Sequence, residues 1–407
     1  MMLAAREALA RSKAGDAQVQ AWVCLADESA VAQSGTGGLA GAGFGVKDVI
    51  DVAGLPTRSG SAAESAEPAR RDATCVAQLR AAGAVPIGKT VTAEYAYVTP
   101  GPTRNPRNPA HTPGGSSSGS AAAVAAGMVD MALGTQTGGS MIRPAAFCGV
   151  VGFKPTFGRV HRQGMHVLCD SLDTIGWFTR DVEQSQQVAS VLLPGSAAPR
   201  PDRAPRVALV TASAIGGLSD AARTALNDCA AVLREQGAHI TAPEVDGDLQ
   251  TLLHIHSQTM LAELARGLLP VALGAQGSLL SPALRAAVDR GLAIPYAEYV
   301  ALQHRRVQLA REWQARFGDV DFIITPSAPS EAPEGVRSTG SSLFNRIWSL
   351  LGWPALHLPT GCADNGLPVG VQWVARTDED QALLGWARQL HCVIRGAFLS
   401  APERIRD

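Results

Sequence analysis

The sequence predicts an α/β protein whose mixed, mostly parallel central sheet is covered by helices on both faces. Short apolar runs of strand length alternate with longer segments of helical periodicity along the chain. Glycine-rich loops stand where a strand pattern gives way to a helix pattern. At 407 residues the chain could hold two or three average domains, although large α/β enzymes often form only one.

The individual elements can be predicted in chain order. The first is an amphipathic helix over Met1 to Asp16. Apolar runs predict strands at Phe44–Ile50, Ala84–Ile87, Val129–Leu133, Val207–Val210, Phe322–Thr325, Ala355–Leu358 and Val369–Val374. Periodicity predicts helices at Thr74–Ala82, Ser117–Ala126, Asp220–Gln236, Leu252–Leu268, Pro282–Gly291, Tyr296–Phe317 and Asp378–His391.

A proline-rich stretch, Pro194–Pro205, is the best candidate boundary within the chain. It separates a motif-rich core, about 38–180, from a more helical substrate-side region, about 215–320. Strand patterns resume afterwards, over about 321–376, and these strands could complete the sheet. We therefore expect a single domain over residues 1–407, with the proline-rich stretch crossing its surface.

Composition and charge exclude several classes of protein. The net charge is −1 and no basic run with interleaved aromatics occurs, so neither nucleic acid nor an acidic membrane surface is an expected partner. The longest apolar stretch, Ala121–Leu133, is too short for a membrane span. Seven scattered cysteines without a CxxC pair indicate reduced thiols. We expect a cytoplasmic enzyme or binding protein, and leave a homodimer open.

Two Gly/Ser-rich segments, Gly114–Ser120 and Thr137–Ser140, are the most informative features. Such runs are usually flexible linkers or turns. Here the first opens directly into an alanine-rich helix pattern, with Ser117 or Ser118 as the expected N-cap. The second stands between a strand pattern and another helix pattern. Ser140 is therefore expected at a helix N-terminus, where free backbone N–H groups collect.

Lysine usage is a second, independent signal. Only four of the 35 basic residues are lysines. Three of them, Lys47, Lys89 and Lys154, stand in apolar or glycine-flanked places. A desolvated lysine can lose its proton and act as a base, whereas arginine stays protonated. These lysines are therefore expected to have chemical or structural functions.

Other site patterns are weaker. The glycines of Gly41–Gly45 lack the spacing of a dinucleotide-binding loop. The chain has no G-x-S-x-G sequence to support Ser/His/Asp catalysis, and His111 beside a proline is expected in a loop. His254 and His256 would point to different sides of a helix. No metal site is predicted, and no metal or organic cofactor is expected.

In their joint order, several segments resemble the amidase signature family over about 38–180 and 321–376. The resemblance implies the single-domain α/β sandwich of that family and hydrolysis of carboxamides. Ser118 stands where the family commonly has glycine, and Gln136 where it commonly has aspartate. The matching segments are Gly45–Asp48, Gly83–Thr90, Asn105–Pro106, Gly114–Ala126, Gly134–Ser140, Gly152–Thr156 and Gly366–Gln372.

The resemblance also implies a Ser–cis-Ser–Lys triad, with Ser140 as nucleophile, Ser116 as bridging serine and Lys47 as base. These assignments are chemically reasonable because a serine hydroxyl is a weak nucleophile and needs a base within hydrogen-bond reach. The peptide bond between Gly115 and Ser116 is expected to be cis. The expected oxyanion hole consists of the backbone N–H groups of Thr137, Gly138, Gly139 and Ser140.

The position of one arginine bears on the substrate. Arg143 stands three residues after Ser140, where most family members have arginine two residues after. On a helix the third position returns to within about 60° of the serine's face, so Arg143 can reach the pocket and hold a substrate carboxylate. It could instead pair with a protein carboxylate. Phe344 and Trp348, at helical spacing, could wall the pocket or pack in the core.

The shifted arginine resembles the malonamidase branch, which cleaves small amides bearing a free carboxylate. The sequence therefore predicts an amidohydrolase that converts a malonamate-like small-molecule amide to acid and ammonia. The alternatives are a broad aliphatic or aryl amidase and the amide-hydrolysing subunit of a tRNA-dependent amidotransferase, which requires partner proteins. A catalytically inactive binding protein is disfavoured because all three triad positions are filled.

Overall fold

Eleven strands form one mixed sheet in the computed structural model, which describes residues 2–31, 35–195 and 202–399. Their order across the sheet is β1-β3-β2-β4-β6-β5-β10-β11-β9-β7-β8. Residues 196–201 of the predicted boundary lie outside the described residues. The strands are β1 (Trp22–Leu25), β2 (Gly43–Lys47), β3 (Val85–Thr90), β4 (Met131–Gln136), β5 (Val151–Lys154), β6 (Thr174–Thr179), β7 (Arg206–Leu209), β8 (His239–Thr241), β9 (Phe322–Pro326), β10 (Ala355–Cys362) and β11 (Pro368–Val374).

Helices flank this sheet. None of those in the described ranges is long and apolar enough to cross a membrane. They are α1 (Ala5–Val19), α2 (Glu28–Val31), α3 (Thr74–Ala81), α4 (Ser118–Ala125), α5 (Ile142–Cys148), α6 (Val182–Leu192), α7 (Asp220–Glu235), α8 (Asp246–Leu273), α9 (Pro282–Leu292), α10 (Tyr296–Arg316), α11 (Leu343–Leu351) and α12 (Asp380–Leu399).

Both faces of the sheet are buried beneath helices, because successive side chains of a strand point to opposite faces. In β9, Phe322 and Ile324 pack in the largest core cluster together with Leu226 of α7. Ile323, between them, packs in a second cluster with Leu252 of α8. The predicted α/β architecture, with helices on both faces of a mixed sheet, is confirmed.

The prediction of a mostly parallel sheet is wrong for the described strands. Six neighbouring pairs are antiparallel and four are parallel. Parallel pairing is confined to β3-β2-β4 and to β9-β7-β8, and the antiparallel strands β6, β5, β10 and β11 lie between them. The connection between β10 and β11 is too short for a parallel crossover. Strands β1, β5, β6 and β8 escaped prediction because their apolar runs are short or interrupted by glycine.

The parallel pair β2 and β4 sets the place of the candidate site. Val46 of β2 lies opposite Leu133 of β4. Because the strands run in the same direction, their carboxyl ends meet at one edge of the sheet. Lys47 ends β2 and Gln136 ends β4, and the second Gly/Ser segment follows directly before α5.

Candidate active site

Lys47 is fully buried at the end of β2. Its Nζ atom donates hydrogen bonds to the Oγ atom of Ser116 at 2.7 Å and to the Oγ1 atom of Thr135 at 2.7 Å. Burial lowers the pKa of Lys47 to about 7, while the negative charge of Asp173 acts in the opposite direction. A substantial fraction of neutral amine is therefore available at neutral pH, as a base requires.

The other two lysines singled out by the sequence are also buried but contact neither serine of the predicted triad. Lys89 forms an ion pair with Asp48, with 3.1 Å between Nζ and Oδ1. Lys154 donates to the carbonyl oxygen of Pro155 at 2.8 Å. These contacts stabilise the fold, so Lys47 is distinguished from both by its contact with Ser116.

A tight glycine turn brings Ser116 to Ser140. Gly114 and Gly115 have φ values of +81° and +63°, in the left-handed region that favours glycine. The backbone N–H of Ser116 then donates to the Oγ atom of Ser140 at 3.2 Å. The expected cis peptide bond between Gly115 and Ser116 is not found, since the described residues contain no cis peptide. Two left-handed glycines reverse the chain here with trans bonds.

Ser140 lies two residues before α5 and opens onto a pocket of about 320 Å³. Thr137, Gly138 and Gly139 line the same pocket. In the described part of the chain, the backbone N–H groups of these three residues and of Ser140 donate to no protein acceptor. Four free donors beside a hydroxyl form an arrangement that can bind a developing oxyanion.

Side chains from three separate segments hold this loop. Asp173 accepts a hydrogen bond from the Oγ1 atom of Thr137 at 2.5 Å. On α8, the Nε2 atom of His256 lies 3.0 Å from the carbonyl oxygen of Thr137. Ser349 of α11 donates to the carbonyl oxygen of Gly138 at 2.8 Å. With its carbonyl groups fixed in this way, the loop presents its N–H groups to the pocket.

Gln136, which replaces the family's usual aspartate, connects the loop to α5 and α11. Its Oε1 atom accepts hydrogen bonds from the backbone N–H groups of Met141 at 2.8 Å and Ile142 at 3.1 Å. Its Nε2 atom donates to the Oγ atom of Ser349 at 3.0 Å. The oxygen serves the start of α5 as a carboxylate oxygen would, and the amide adds a donor that a carboxylate lacks. The replacement also leaves this part of the site without a negative charge.

Arg143 is buried and lines the pocket together with Ser140. Its Nη1 atom donates to the carbonyl oxygen of Gly340 at 2.6 Å, and its Nε atom has no hydrogen-bond partner. Burial, and then the nearby charge of Arg346, lower the pKa of Arg143 to about 9. No carboxylate of residues 2–31, 35–195 and 202–399 forms an ion pair with Arg143.

Three residues near the site do not have the contacts first considered for them. Phe344 and Trp348 are both buried in the core, and the residues of α11 that line the pocket are Leu343 and Arg346. Ser117 precedes α4 but makes no side-chain cap, because its hydroxyl donates to the carbonyl oxygen of Thr135 instead. The substrate-wall and side-chain-cap expectations are therefore wrong for these residues.

Known proteins of similar sequence include amidases. The family model described as Amidase matches residues 4–384. The chain belongs to the amidase family. Among its relatives is a glutamyl-tRNA(Gln) amidotransferase subunit of the A type from Koribacter versatilis (strain Ellin345), which is 30% identical, over 91% of this chain and 90% of that protein.

Solved structures agree with the family assignment. The crystal structure of an amidase is 32% identical, has a TM-score of 0.85, and covers 95% of this chain and 95% of that chain. The corresponding glutamyl-tRNA(Gln) amidotransferase subunit from Thermotoga maritima is 26% identical, has a TM-score of 0.82, and covers 93% and 90%. The protein is thus an enzyme of the class that hydrolyses amide C–N bonds, with the α/β fold of other amidases.

Proposed function

We propose that this amidase hydrolyses small amides bearing a carboxylate, through an acyl-enzyme on Ser140. One observation carries the proposal. A buried lysine contacts Ser116, Ser116 contacts Ser140, and Ser140 shares its pocket with a buried arginine that has no protein carboxylate. The first part of this arrangement supports nucleophilic catalysis, and the second supports an acidic substrate.

The first chemical step forms an ester between the enzyme and the acyl group. The Oγ atom of Ser140 attacks the amide carbonyl carbon, and its proton passes to Ser116 as the hydroxyl proton of Ser116 passes to neutral Lys47. The carbonyl oxygen becomes an oxyanion that can accept hydrogen bonds from the loop. The C–N bond then breaks, and the proton returns from Lys47 through Ser116 to the leaving ammonia.

The second step regenerates the enzyme with the same residues. Water attacks the ester carbon while Lys47, again through Ser116, accepts a proton. The ester C–O bond breaks, the acid product leaves and Ser140 recovers its proton. Each proton taken up in the addition is returned in the elimination, so neither step needs a metal or an organic cofactor.

The acidic substrate is inferred from the state of Arg143. Burying a guanidinium without a counter-charge is costly, and a carboxylate offers two oxygens that match two guanidinium N–H groups. The prediction that Arg143 pairs with a protein carboxylate finds no support in the described contacts, whereas its free Nε atom and its place beside Ser140 support substrate binding. Malonamate is the smallest amide of this class and is the substrate suggested by the position of Arg143.

A second candidate function comes from the relatives. Those reported above include two amidotransferase subunits that align with about nine tenths or more of this chain. The protein could likewise be a subunit that hydrolyses an amide for a partner, and such an amide can also bear a carboxylate. This candidate differs from a free-standing amidase in requiring the partner for activity.

Ammonia release separates these possibilities. The purified protein is assayed without partners on malonamate and on the neutral amide propionamide. We expect release from malonamate and a higher kcat/KM than for propionamide. Arg143→Ala should reduce that preference by roughly 30- to 5,000-fold, the range for truncating one partner of a buried charged pair. The matched control is Arg311→Ala, at an exposed position on α10.

The outcomes that contradict the proposal are distinct. A preference that is unchanged in Arg143→Ala excludes carboxylate binding by Arg143 and favours a broad aliphatic or aryl amidase. Absence of ammonia release from every amide tested, with the expected melting curve, favours the amidotransferase function.

A further inference from the structure

A second arginine lies in the same pocket, and neither the catalytic steps nor the binding of one carboxylate uses it. Arg346 is in the first turn of α11, and a β-carbon added to Gly138 would lie 3.5 Å from its Cγ atom. Its side chain therefore lies over the loop that carries the free N–H groups. Arg143 approaches from α5, which follows that loop in the chain.

The contacts of Arg346 are with neutral groups. Its Nε atom donates to the Oγ atom of Ser342 at 2.9 Å, and its Nη1 atom to the Oγ atom of Ser257 at 3.5 Å. Among the ion pairs of the described residues, none involves Arg346. The hydroxyls orient the guanidinium but do not neutralise it, and its Nη2 atom is left for another acceptor.

The rest of the pocket does not supply the missing negative charge. Burial and the charge of Arg346 lower the pKa of His256 to about 3, so this imidazole is neutral. Gln136, at the base of the loop, carries an amide where a carboxylate is usual in the family. Arg346 also lowers the pKa of Arg143, which shows that the two positive charges act on one another. Two like charges in one partly desolvated pocket repel, and they are best compensated by two negative charges.

We infer that Arg346 binds a second acidic group, so that the substrate is a small amide carrying two carboxylates. This inference rests on the proposed function and narrows its substrate class. Arg143 holds the carboxylate on the α5 side of Ser140, and Arg346 holds the other on the α11 side. Arg346 is thus a specificity-determining residue that contacts substrate away from the reacting carbon.

Three amides of related structure test the inference. Butyramide is neutral, glutaramate adds one terminal carboxylate, and the terminal monoamide of tricarballylic acid adds a second carboxylate to the glutaramate chain. We expect kcat/KM to rise at each addition. Because Arg346 is partly exposed and therefore partly screened, the second carboxylate should raise kcat/KM by about tenfold or more.

Variants assign each gain to one arginine. Arg346→Gln should remove the advantage of the tricarballylic monoamide over glutaramate, mainly through KM, and Arg346→Lys should restore part of it. Arg143→Gln should remove the advantage of glutaramate over butyramide. Arg311→Gln, the exposed control, should change neither ratio.

Two results overturn the inference and leave the proposed function intact. In one, wild type prefers glutaramate over butyramide but gains nothing from the second carboxylate. In the other, Arg346→Gln lowers kcat/KM for all three amides by the same factor and lowers the melting temperature, which shows a structural clamp on Ser342 and Ser257. Loss of the preference for glutaramate over butyramide as well would contradict the proposed function itself.

Discussion

The Nζ atom of Lys47 lies 2.7 Å from the Oγ atom of Ser116, and both side chains are fully buried. The two residues come from distant parts of the chain, the end of β2 and the glycine turn before α4. A buried amine in contact with a hydroxyl can take its proton only when the amine is neutral. The burial that lowers the pKa of Lys47 to about 7 therefore makes this contact capable of base catalysis.

The first prediction concerns the charge of residue 47. Lys47→Arg should be nearly as inactive as Lys47→Ala, with kcat lower by at least ~10²-fold, because arginine keeps the positive charge but does not become a neutral base. Steady-state ammonia release on the preferred amide measures this, and thermal unfolding checks that both variants fold. Retention of most of kcat in Lys47→Arg would show that residue 47 acts only through its charge.

The second prediction concerns pH. Lys47 is protonated below its pKa, so kcat/KM should fall as the pH drops through about 7. Asp173 raises the pKa of Lys47, so Asp173→Asn should lower that pKa further and move the acid limb of the profile to lower pH. Asp170→Asn, an exposed change on the same loop, is the control. An acid limb that stays in place in Asp173→Asn excludes Lys47 as the group that titrates.

The third prediction tests the bridging serine. Ser116→Ala should lower kcat by about 10²- to 10⁴-fold, because the proton path between Ser140 and Lys47 loses its middle hydroxyl. Ser118→Ala is the matched control, two residues away at the start of α4, where glycine is usual in the family. Equal rates in the two variants, at equal melting temperatures, would show that Ser116 transfers no proton.

The fourth prediction tests the glycine turn. Gly115 has a left-handed φ of +63°, and an added β-carbon would lie 2.6 Å from the Cδ atom of Pro144 and 3.3 Å from the Cα atom of Ser140. Gly158 also has a left-handed φ, +83°, but an added β-carbon there meets open space. Gly158→Ala should therefore cost only the conformational penalty, about 1–2 kcal/mol of unfolding free energy. Gly115→Ala should cost more and also lower kcat, because Pro144 and Ser140 must move.

Equal losses of unfolding free energy in these two glycine variants would show that the contacts at Gly115 are easily relieved. Denaturant unfolding measures the difference between them, and ammonia release measures the loss of kcat. Unaltered kcat in Gly115→Ala would show that the turn does not set the position of Ser140.

Sequence patterns located the strands and the chemical groups well where the signal is local. The apolar run Phe322–Thr325, for example, matches β9, and the arginine-rich composition singled out three lysines that are all buried. The functional assignments of Ser140, Ser116 and Lys47 stay predictions, but the fold brings the three residues together. Their local motifs were visible because glycine and serine stand at strand ends.

Residues that act through tertiary contacts gave no comparable signal. Asp173, His256 and Ser349 come from three distant segments, and each holds the pocket loop through one hydrogen bond. Only the two-residue spacing of His254 and His256 drew attention to α8, and it was interpreted as a failed metal pattern. Arg346 was missed as well, because the helix that carries it was noticed for its buried aromatic residues.

The nucleophile can be tested most directly by mass spectrometry of the acyl-enzyme. Wild-type protein is mixed with the preferred acidic amide, quenched in acid during turnover and digested. The peptide that contains Ser140 should gain the mass of the acyl group, and fragmentation should place it on Ser140. Ser140→Ala should give no adduct and should lose kcat by roughly 10⁶-fold. An adduct on another residue, or ordinary turnover by a folded Ser140→Ala variant, would contradict Ser140 as the nucleophile.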